Sequence, residues 1–573
     1  MLFNINKQKS LALLQVMMAV FILLAPSFLG ILPVDAAVFL SFTILGIVVT
    51  LRIKTNLKVY ISKNTLVHLI LAAYAILSLL WTSNKEGQLI YVFALGSAMI
   101  FSEMSSEYFA ENAGDGFRRR IMYMLSISGI TCAISNLFYW IFYIVPVAGN
   151  EPFFLGLGSN NFLGIYMALC IIVSICLLKG NSRLRKILIL TSVLVMTFVF
   201  IMTKSIIAWA MLLILAIAWL LKKKMKSQRN FVIISLVCVF LFFLIVLFYL
   251  KYTIYGQTFK DAFSYASGNL FGKGGGFWNE RELFSKNHYS EKLGVGLFAY
   301  AFGASGILGV LACVFLTFRN IVAFIRLKSY ESLLGIFISV ALMLLPFGEN
   351  ITLILLWTGI NAYNEQAAEK NFKVLLKKNN MDKTMCAAIA FLVIASILAI
   401  LSFLKMNAAS AYKKKDYATS YELYKVAATV NRTDSESCRM AVSSIRKSGL
   451  LPSMRDEAIT IIDTAIKRDL KNLANLKEKA LAYEVCEEYE LSAQLYREAV
   501  QKAVMKDDYN LALVKVLYKI VEMNPKGSSE TKRAYEEIVS IAQMTDNLNL
   551  RKEINDIADK ALGYTKGDLT NEK

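Results

Sequence analysis

Histidine is nearly absent from this chain, with two residues in 573, His68 and His288. A cluster of imidazoles holding a metal is therefore excluded, and any reaction must rest on carboxylates, cationic side chains and at most one or two imidazoles. The eight cysteines contain no C-x-x-C pair, and six of them (Cys132, Cys170, Cys176, Cys238, Cys313 and Cys386) lie inside apolar runs. That supports neither a disulfide framework nor a zinc site. Seven prolines and 30 glycines are too few for a collagenous or low-complexity chain. Charge is also sparse: 18% of residues are charged and 56% apolar, against about 25% and about 45 to 50% in ordinary globular chains. An ordinary soluble enzyme does not have that balance.

What charge there is lies unevenly. The net charge is +20, but residues 405–573 hold 28 basic and 26 acidic side chains, so nearly all of the excess falls before them. It sits in short clusters between long apolar runs, which is the pattern of membrane topology and not of a nucleic-acid partner. Apolar runs of roughly 17 to 25 residues suffice to cross about 30 Å of hydrocarbon as helix, and about thirteen such spans are expected. They cover 11–32, 35–51, 65–81, 88–103, 121–146, 158–178, 187–203, 205–221, 231–250, 294–317, 332–346, 350–363 and 384–404. The first begins after Lys7 and Lys9 like a signal peptide, but a second run follows at once without a clear cleavage site, so it reads as retained. With the amino terminus in the cytoplasm, 26 basic residues of the first 404 fall inside and 8 outside, which selects that orientation. Runs 332–346 and 350–363 are short and meet at Pro346-Phe347-Gly348-Glu349-Asn350, so they are either two spans or a hairpin.

This topology puts the loop at 251–294 and the tail after Lys405 on the outer side. In the tail, Asp416–Ala427 (DYATSYELYKVA) recurs 72 residues later as Glu488–Ala499 (EYELSAQLYREA), close to two tetratricopeptide units of about 34. Leu476, Ala480 and Tyr483 stand where that repeat places a bulky, a small and an aromatic residue in its first helix. Aromatic and small residues at this spacing are expected in a core. The fold class expected is all-α: a polytopic membrane helix bundle over 1–383 with the large outer loop, a final span at 384–404, and an extracytoplasmic α-solenoid over 405–573.

Chemistry could sit in the loop stretch Phe271–Glu291 (FGKGGGFWNERELFSKNHYSE). Gly272 and Gly274 allow the backbone to approach a bulky ligand. Lys273, Arg281 and Lys286 can hold phosphate oxygens, with Asn287 beside His288, the natural proton acceptor near neutral pH. Glu280, Glu282 and Glu291 are available to orient or replace that base. The alternative is a solvated connector whose glycines only turn the chain, although 44 residues are long for a passive link. The glycine run is not a Walker motif, since no Gly-Lys-Ser/Thr follows. Elsewhere, His68 reads as interfacial or packed. Lys204, in the short break between two spans, is either a snorkelling end residue or aimed at whatever enters from the outer leaflet. Asn160 and Asn161 open the sixth span as caps or as sugar-hydroxyl ligands.

Together these residues carry a resemblance. Gly158-Ser159-Asn160-Asn161-Phe162-Leu163-Gly164 before the sixth span, Thr203-Lys204-Ser205 between two tight spans, the outer loop with its glycine run and Asn287-His288, and a helix start at Gly306-Ile307-Leu308-Gly309 resemble the O-antigen ligase and polymerase family. These bacterial envelope glycosyltransferases move glycans from a polyprenyl diphosphate carrier at the outer face of the membrane, and several carry an outer tetratricopeptide tail. The overlay spans roughly residues 10–363. It departs where the family has Thr-x-Ser-Arg: here Ile206 replaces the arginine, leaving Lys204 as the neighbouring cation.

The resemblance implies an inverting, metal-independent transfer with no cofactor. Arg281 and Lys204 would hold the diphosphate and His288 or Glu291 would act as base, with Gly272, Lys273, Gly274, Glu280, Glu282, Lys286, Asn287, Asn160 and Asn161 around the substrate. The expected partners are a polyprenyl-diphosphate-linked glycan donor, a glycan or other envelope acceptor, membrane lipid, and an acceptor polymer or protein on the solenoid. The second reading is a multi-span transporter or a polymer-export or scaffold component with the solenoid as docking platform. Transporters tend to show internal repeats and charged or broken helices at the midplane, and neither is seen in the sequence.

Overall fold

The computed structural model describes residues 32–54, 59–111, 115–141, 160–179, 181–224, 227–284, 295–328, 330–345, 351–368, 372–374 and 378–565. The chain forms two compact units: Met1–Trp81, Gln88–Gly275 and Tyr289–Ser402 in the first, and Thr82–Gly87, Gly276–His288 and Phe403–Lys573 in the second.

The first unit is helical. In chain order it holds α1 (Val34–Lys54), α2 (Lys63–Ser78), most of α3 (Lys85–Glu111), α4 (Asp115–Tyr139), α5 (Asn160–Leu177), α6 (Arg183–Met202), α7 (Ile206–Lys224) and α8 (Gln228–Lys251). There follow α9 (Ile254–Ser267), α10 (Leu297–Leu327), α11 (Tyr330–Leu344), α12 (Ile351–Ala368) and the first part of α13 (Lys378–Lys413). One departure from the all-α expectation is a short antiparallel pair, β1 (Val59–Ile61) with β2 (Phe372–Val374), in the register Val59 to Val374 and Ile61 to Phe372. The described part of the loop expected over 251–294 is largely helical: α9 and a 3-10 segment, Gly275–Leu283, lie within it.

Among the described residues seven helices are long and apolar enough to cross a membrane, and four shorter apolar helices accompany them. Of the run 11–32 all but residue 32 lies outside the described residues, and 351–363 is part of α12. Several hydroxyls in these helices are satisfied locally: those of Ser41, Thr43, Ser97 and Ser174 each donate to the carbonyl four residues earlier. A hydroxyl spent this way does not ask for water. Helix α5 is buried nearly all round, whereas α6 leaves Leu184, Leu188 and Leu194 at 70%, 60% and 70% exposed. Apolar side chains facing outward in such numbers fit a nonaqueous surrounding. A core of Phe39, Leu45, Phe93, Phe101, Leu355 and Leu398 ties together α1, α3, α12 and α13.

The second unit is the solenoid. Helix α13 runs through the expected 404/405 boundary without a break, and its end from Phe403 begins the stack. It is followed by α14 (Tyr417–Val430), α15 (Ser435–Lys447), α16 (Arg455–Arg468), α17 (Leu473–Val485), α18 (Tyr489–Lys502), α19 (Asp507–Met523), α20 (Ser529–Met544) and α21 (Leu548–Thr565). Each packs on the next.

The repeated sequence marks equivalent places in this stack, since one copy opens α14 and the other opens α18, two helix pairs apart. Lys415 (φ 65°) and Glu487 (φ 61°), immediately before the two copies, are both left-handed and break the chain there. Asp416, Asp434, Asn472 and Ser528 cap the helices that follow them through their side chains. The matched positions Ser420 and Ser492, Tyr424 and Tyr496, and Ala427 and Ala499 are all buried, as expected for core. Arg446 grips Glu478 through Nε and Nη2 at 2.8 and 3.3 Å.

Candidate functional site

In the first unit, two of the segments singled out in the sequence meet. Thr203, Lys204 and Ser205 form the turn between α6 and α7, where the Thr203 hydroxyl donates to the Phe200 carbonyl at 2.7 Å and ends α6. Ser205 Oγ accepts from the Ala208 amide at 3.1 Å, capping α7, and donates to Asn161 Oδ1 on α5 at 2.7 Å. Asn161 Nδ2 in turn reaches the Tyr249 hydroxyl of α8 at 3.3 Å. Asn161 is thus a bridge between helices, a role outside the two expected for it. Asn160, at the first residue of α5, is half-buried. Lys204 sits at the tip with φ 51° and an exposed side chain.

The glycine run is built into α10. At Gly306 that helix breaks (φ 60°, ψ −144°), and its second half starts at the expected Gly306–Gly309 motif. The Lys273 amide donates to the Gly303 carbonyl at 2.7 Å, and the Ile307 amide donates to the Leu270 carbonyl at 3.0 Å. A β-carbon on Gly272 would lie 2.6 Å from the Gly306 amide nitrogen. The close approach that Gly272 permits is therefore to another backbone, not to a ligand as expected. Gly274 is buried with φ 100°. Next to it the Gly275 amide donates to Gln88 Oε1 at 2.5 Å, and its carbonyl accepts from the Tyr300 hydroxyl at 3.0 Å. The Lys273 ammonium lies 3.3 Å from the centre of the Tyr265 ring, a cation–π contact rather than a waiting phosphate ligand.

Beyond Gly275 the loop belongs to the second unit. Glu280 is 1% exposed, accepts from the Ser83 hydroxyl and lies 3.5 Å from Lys471 Nζ. Glu282 accepts from the Tyr509 hydroxyl at 2.7 Å, and its carbonyl accepts from the Val504 amide at 3.2 Å. Burial and then the Glu282 carboxylate push the Tyr509 hydroxyl well above its ordinary pKa. Both glutamates hold the loop segment to the solenoid, while the base they were expected to orient, His288, lies outside the described residues. Arg281 stands between them, half-buried. Lys286, Asn287, His288 and Glu291 lie outside the described residues.

Sequence reading missed a polar cluster inside the first unit. The Glu365 carboxylate accepts from the Lys63 and Asn64 amides at 2.8 and 3.2 Å and pairs with Arg319 at 3.0 Å, holding the start of α2. Asn320 Nδ2 donates to Ser339 at 2.9 Å, Asn364 Nδ2 donates to Asn320 Oδ1 at 2.8 Å, and the Trp357 indole donates to Ser339 at 2.9 Å. His68 is 3% exposed with Nδ1 2.7 Å from the Asn64 carbonyl, which makes it packed. The signal was present: Asn361, Asn364 and Glu365 share one face of a largely apolar helix.

No family model matches this chain, and no curated protein matches it. Among solved structures, the chain is similar to yeast Tom70 at 10% identity, covering 86% of this chain and 96% of that one with a TM-score of 0.26. A likeness that low carries no argument.

Proposed function

We propose that this chain is an integral membrane glycosyltransferase of the O-antigen ligase and polymerase kind, which moves glycan from a polyprenyl diphosphate carrier at the outer face of the cell membrane. The observation that carries the reading is the Ser205–Asn161 hydrogen bond at 2.7 Å. Two sequence segments that carry the resemblance to that family meet in one structural feature, with an exposed cation, Lys204, at its tip. The broken helix at Gly306, gripped by the glycine run, is a second point of support.

In this reading about thirteen spans hold the amino terminus in the cytoplasm and the solenoid outside. Lys204 and Arg281 supply positive charge to the leaving diphosphate, and His288 takes the acceptor hydroxyl proton, with Glu291 as its substitute. Glu280 and Glu282 take no part in the chemistry. The solenoid holds acceptor polymer or a partner protein. The test is transfer from a polyprenyl-diphosphate-linked oligosaccharide by the purified full-length protein in nanodiscs, read as released polyprenyl diphosphate. His288→Ala should slow it by about 10² to 10⁴. If neither His288→Ala nor Glu291→Gln slows transfer, the loop does not supply the base. If the wild-type protein transfers nothing and gene deletion leaves surface glycans unchanged, the reading fails.

A further inference from the structure

The first unit holds an apolar groove and a cavity that the chemistry above does not use. The groove, about 480 Å³, lies between α2 and the second half of α10 and is walled by hydrocarbon side chains. Ile70, Leu311, Val314 and Phe318 stand in it 51%, 57%, 53% and 60% exposed. Along α10 it runs from Leu308 to Phe318, about 15 Å at 1.5 Å per residue and so about half of a hydrocarbon core of about 30 Å. That is the reach of one lipid chain within one leaflet.

The cavity, about 60 Å³, lies deeper, among α1, α2, α3, α10 and α12. Leu71 and Ala312 belong to both walls, so these two side chains form the gap between groove and cavity. Polar side chains of the cavity wall are spent on protein partners. The Tyr91 hydroxyl meets Ser305 Oγ at 2.9 Å, the Tyr300 hydroxyl donates to the Gly275 carbonyl at 3.0 Å, the Trp357 indole donates to Ser339 at 2.9 Å, and His68 Nδ1 lies 2.7 Å from the Asn64 carbonyl. What the wall offers is chiefly hydrocarbon, which does not hold water, and a void left there forfeits the contacts its lining atoms would make.

We propose that groove and cavity together bind one fatty-acyl chain of a membrane phospholipid, whose tip passes between Leu71 and Ala312 and ends in the cavity that Trp357 lines. Size selects the chain. The cavity is under half of the roughly 150 Å³ that accommodates benzene, so it takes the end of an unbranched chain and not the methyl-branched units of an isoprenoid. The site is therefore separate from any place for the polyprenyl carrier. It rests on these helices lying in a bilayer and not on glycosyl transfer.

Tryptophan quenching tests it, because bromine on an acyl chain quenches an indole only at contact. Trp357 is 3% exposed, so lipid on the outer surface of the protein does not touch it. The probe is the full-length protein with Trp81, Trp140, Trp209, Trp219 and Trp278 replaced by Phe, in nanodiscs of phosphatidylglycerol and phosphatidylethanolamine with brominated acyl chains. A form that keeps only Trp209, 48% exposed on α7, reports ordinary lipid contact. Both forms should lose most of their emission relative to unbrominated lipid. Ala312→Phe or Leu71→Phe, each of which plugs the gap, should restore Trp357 and leave Trp209 quenched. Trp357 emission unchanged by brominated lipid, with Trp209 quenched, would overturn the site. So would full quenching of Trp357 in whichever plugged variant keeps its melting temperature. Added polyprenyl phosphate should leave the quenching in place; if it lifts it, the cavity takes an isoprenoid chain and the phospholipid assignment is wrong.

Discussion

Gly272 and Gly306 meet backbone against backbone. A β-carbon on Gly306 would stand 2.0 Å from the Leu270 carbonyl oxygen, and one on Gly272 would stand 2.7 Å from the Ala304 carbonyl oxygen. Both glycines have positive φ, 79° and 60°, so each is required twice, by conformation and by contact.

Gly306→Ala should therefore cost far more than conformation alone. Gly449 supplies the control, with φ 78° and nothing within 4 Å of a would-be β-carbon. Gly449→Ala should cost about 1 to 2 kcal/mol. Gly306→Ala should exceed that clearly or fail to yield folded protein, as read by thermal unfolding in detergent. Equal losses at the two positions would show that the α10 break tolerates a side chain.

Removing the Ser205 hydroxyl strands Asn161 Oδ1 in a buried place, so Ser205→Ala should destabilise the first unit by about 1 to 3 kcal/mol. Asn161→Ala should cost a similar amount, and the double variant less than the sum of the two, because one bond is lost only once. Lys204→Ala, at an exposed tip, should leave the melting temperature unchanged while lowering transfer. Strict additivity in the unfolding series would remove the Ser205–Asn161 bond from the account.

In the solenoid, Arg446 and Glu478 are 16% and 8% exposed and doubly hydrogen-bonded. Arg446→Ala leaves a carboxylate buried without its cation and should cost about 3 to 5 kcal/mol. Arg446→Met combined with Glu478→Leu should recover most of that, since an apolar pair of similar volume does not need the charge. Denaturant unfolding followed at solenoid residues by hydrogen exchange would measure both.

The solenoid should be accessible from outside. Protease added to spheroplasts is expected to remove residues after about 410, following the odd number of crossings counted by the positive-inside rule. Protection of the tail in intact spheroplasts, with cleavage only after lysis, would invert the topology and remove the acceptor-holding role.

The helical class, the apolar helices and the solenoid repeat were legible in the sequence, because each rests on local periodicity. A 72-residue spacing matched Tyr424 to Tyr496, and both are buried core. The Gly306 break was not read from periodicity, since 294–317 was expected as one span and a helix start at Gly306 entered only with the resemblance. What could not be read were pairings between distant segments. Nothing local says that the Asn161 amide is spent on Ser205, that Gly272 faces a backbone and not a ligand, or that Glu280 and Glu282 are anchors. Those assignments depend on which buried donor stands opposite which acceptor. A buried polar group takes the partner that the packing brings to it, so only the tertiary structure decided them.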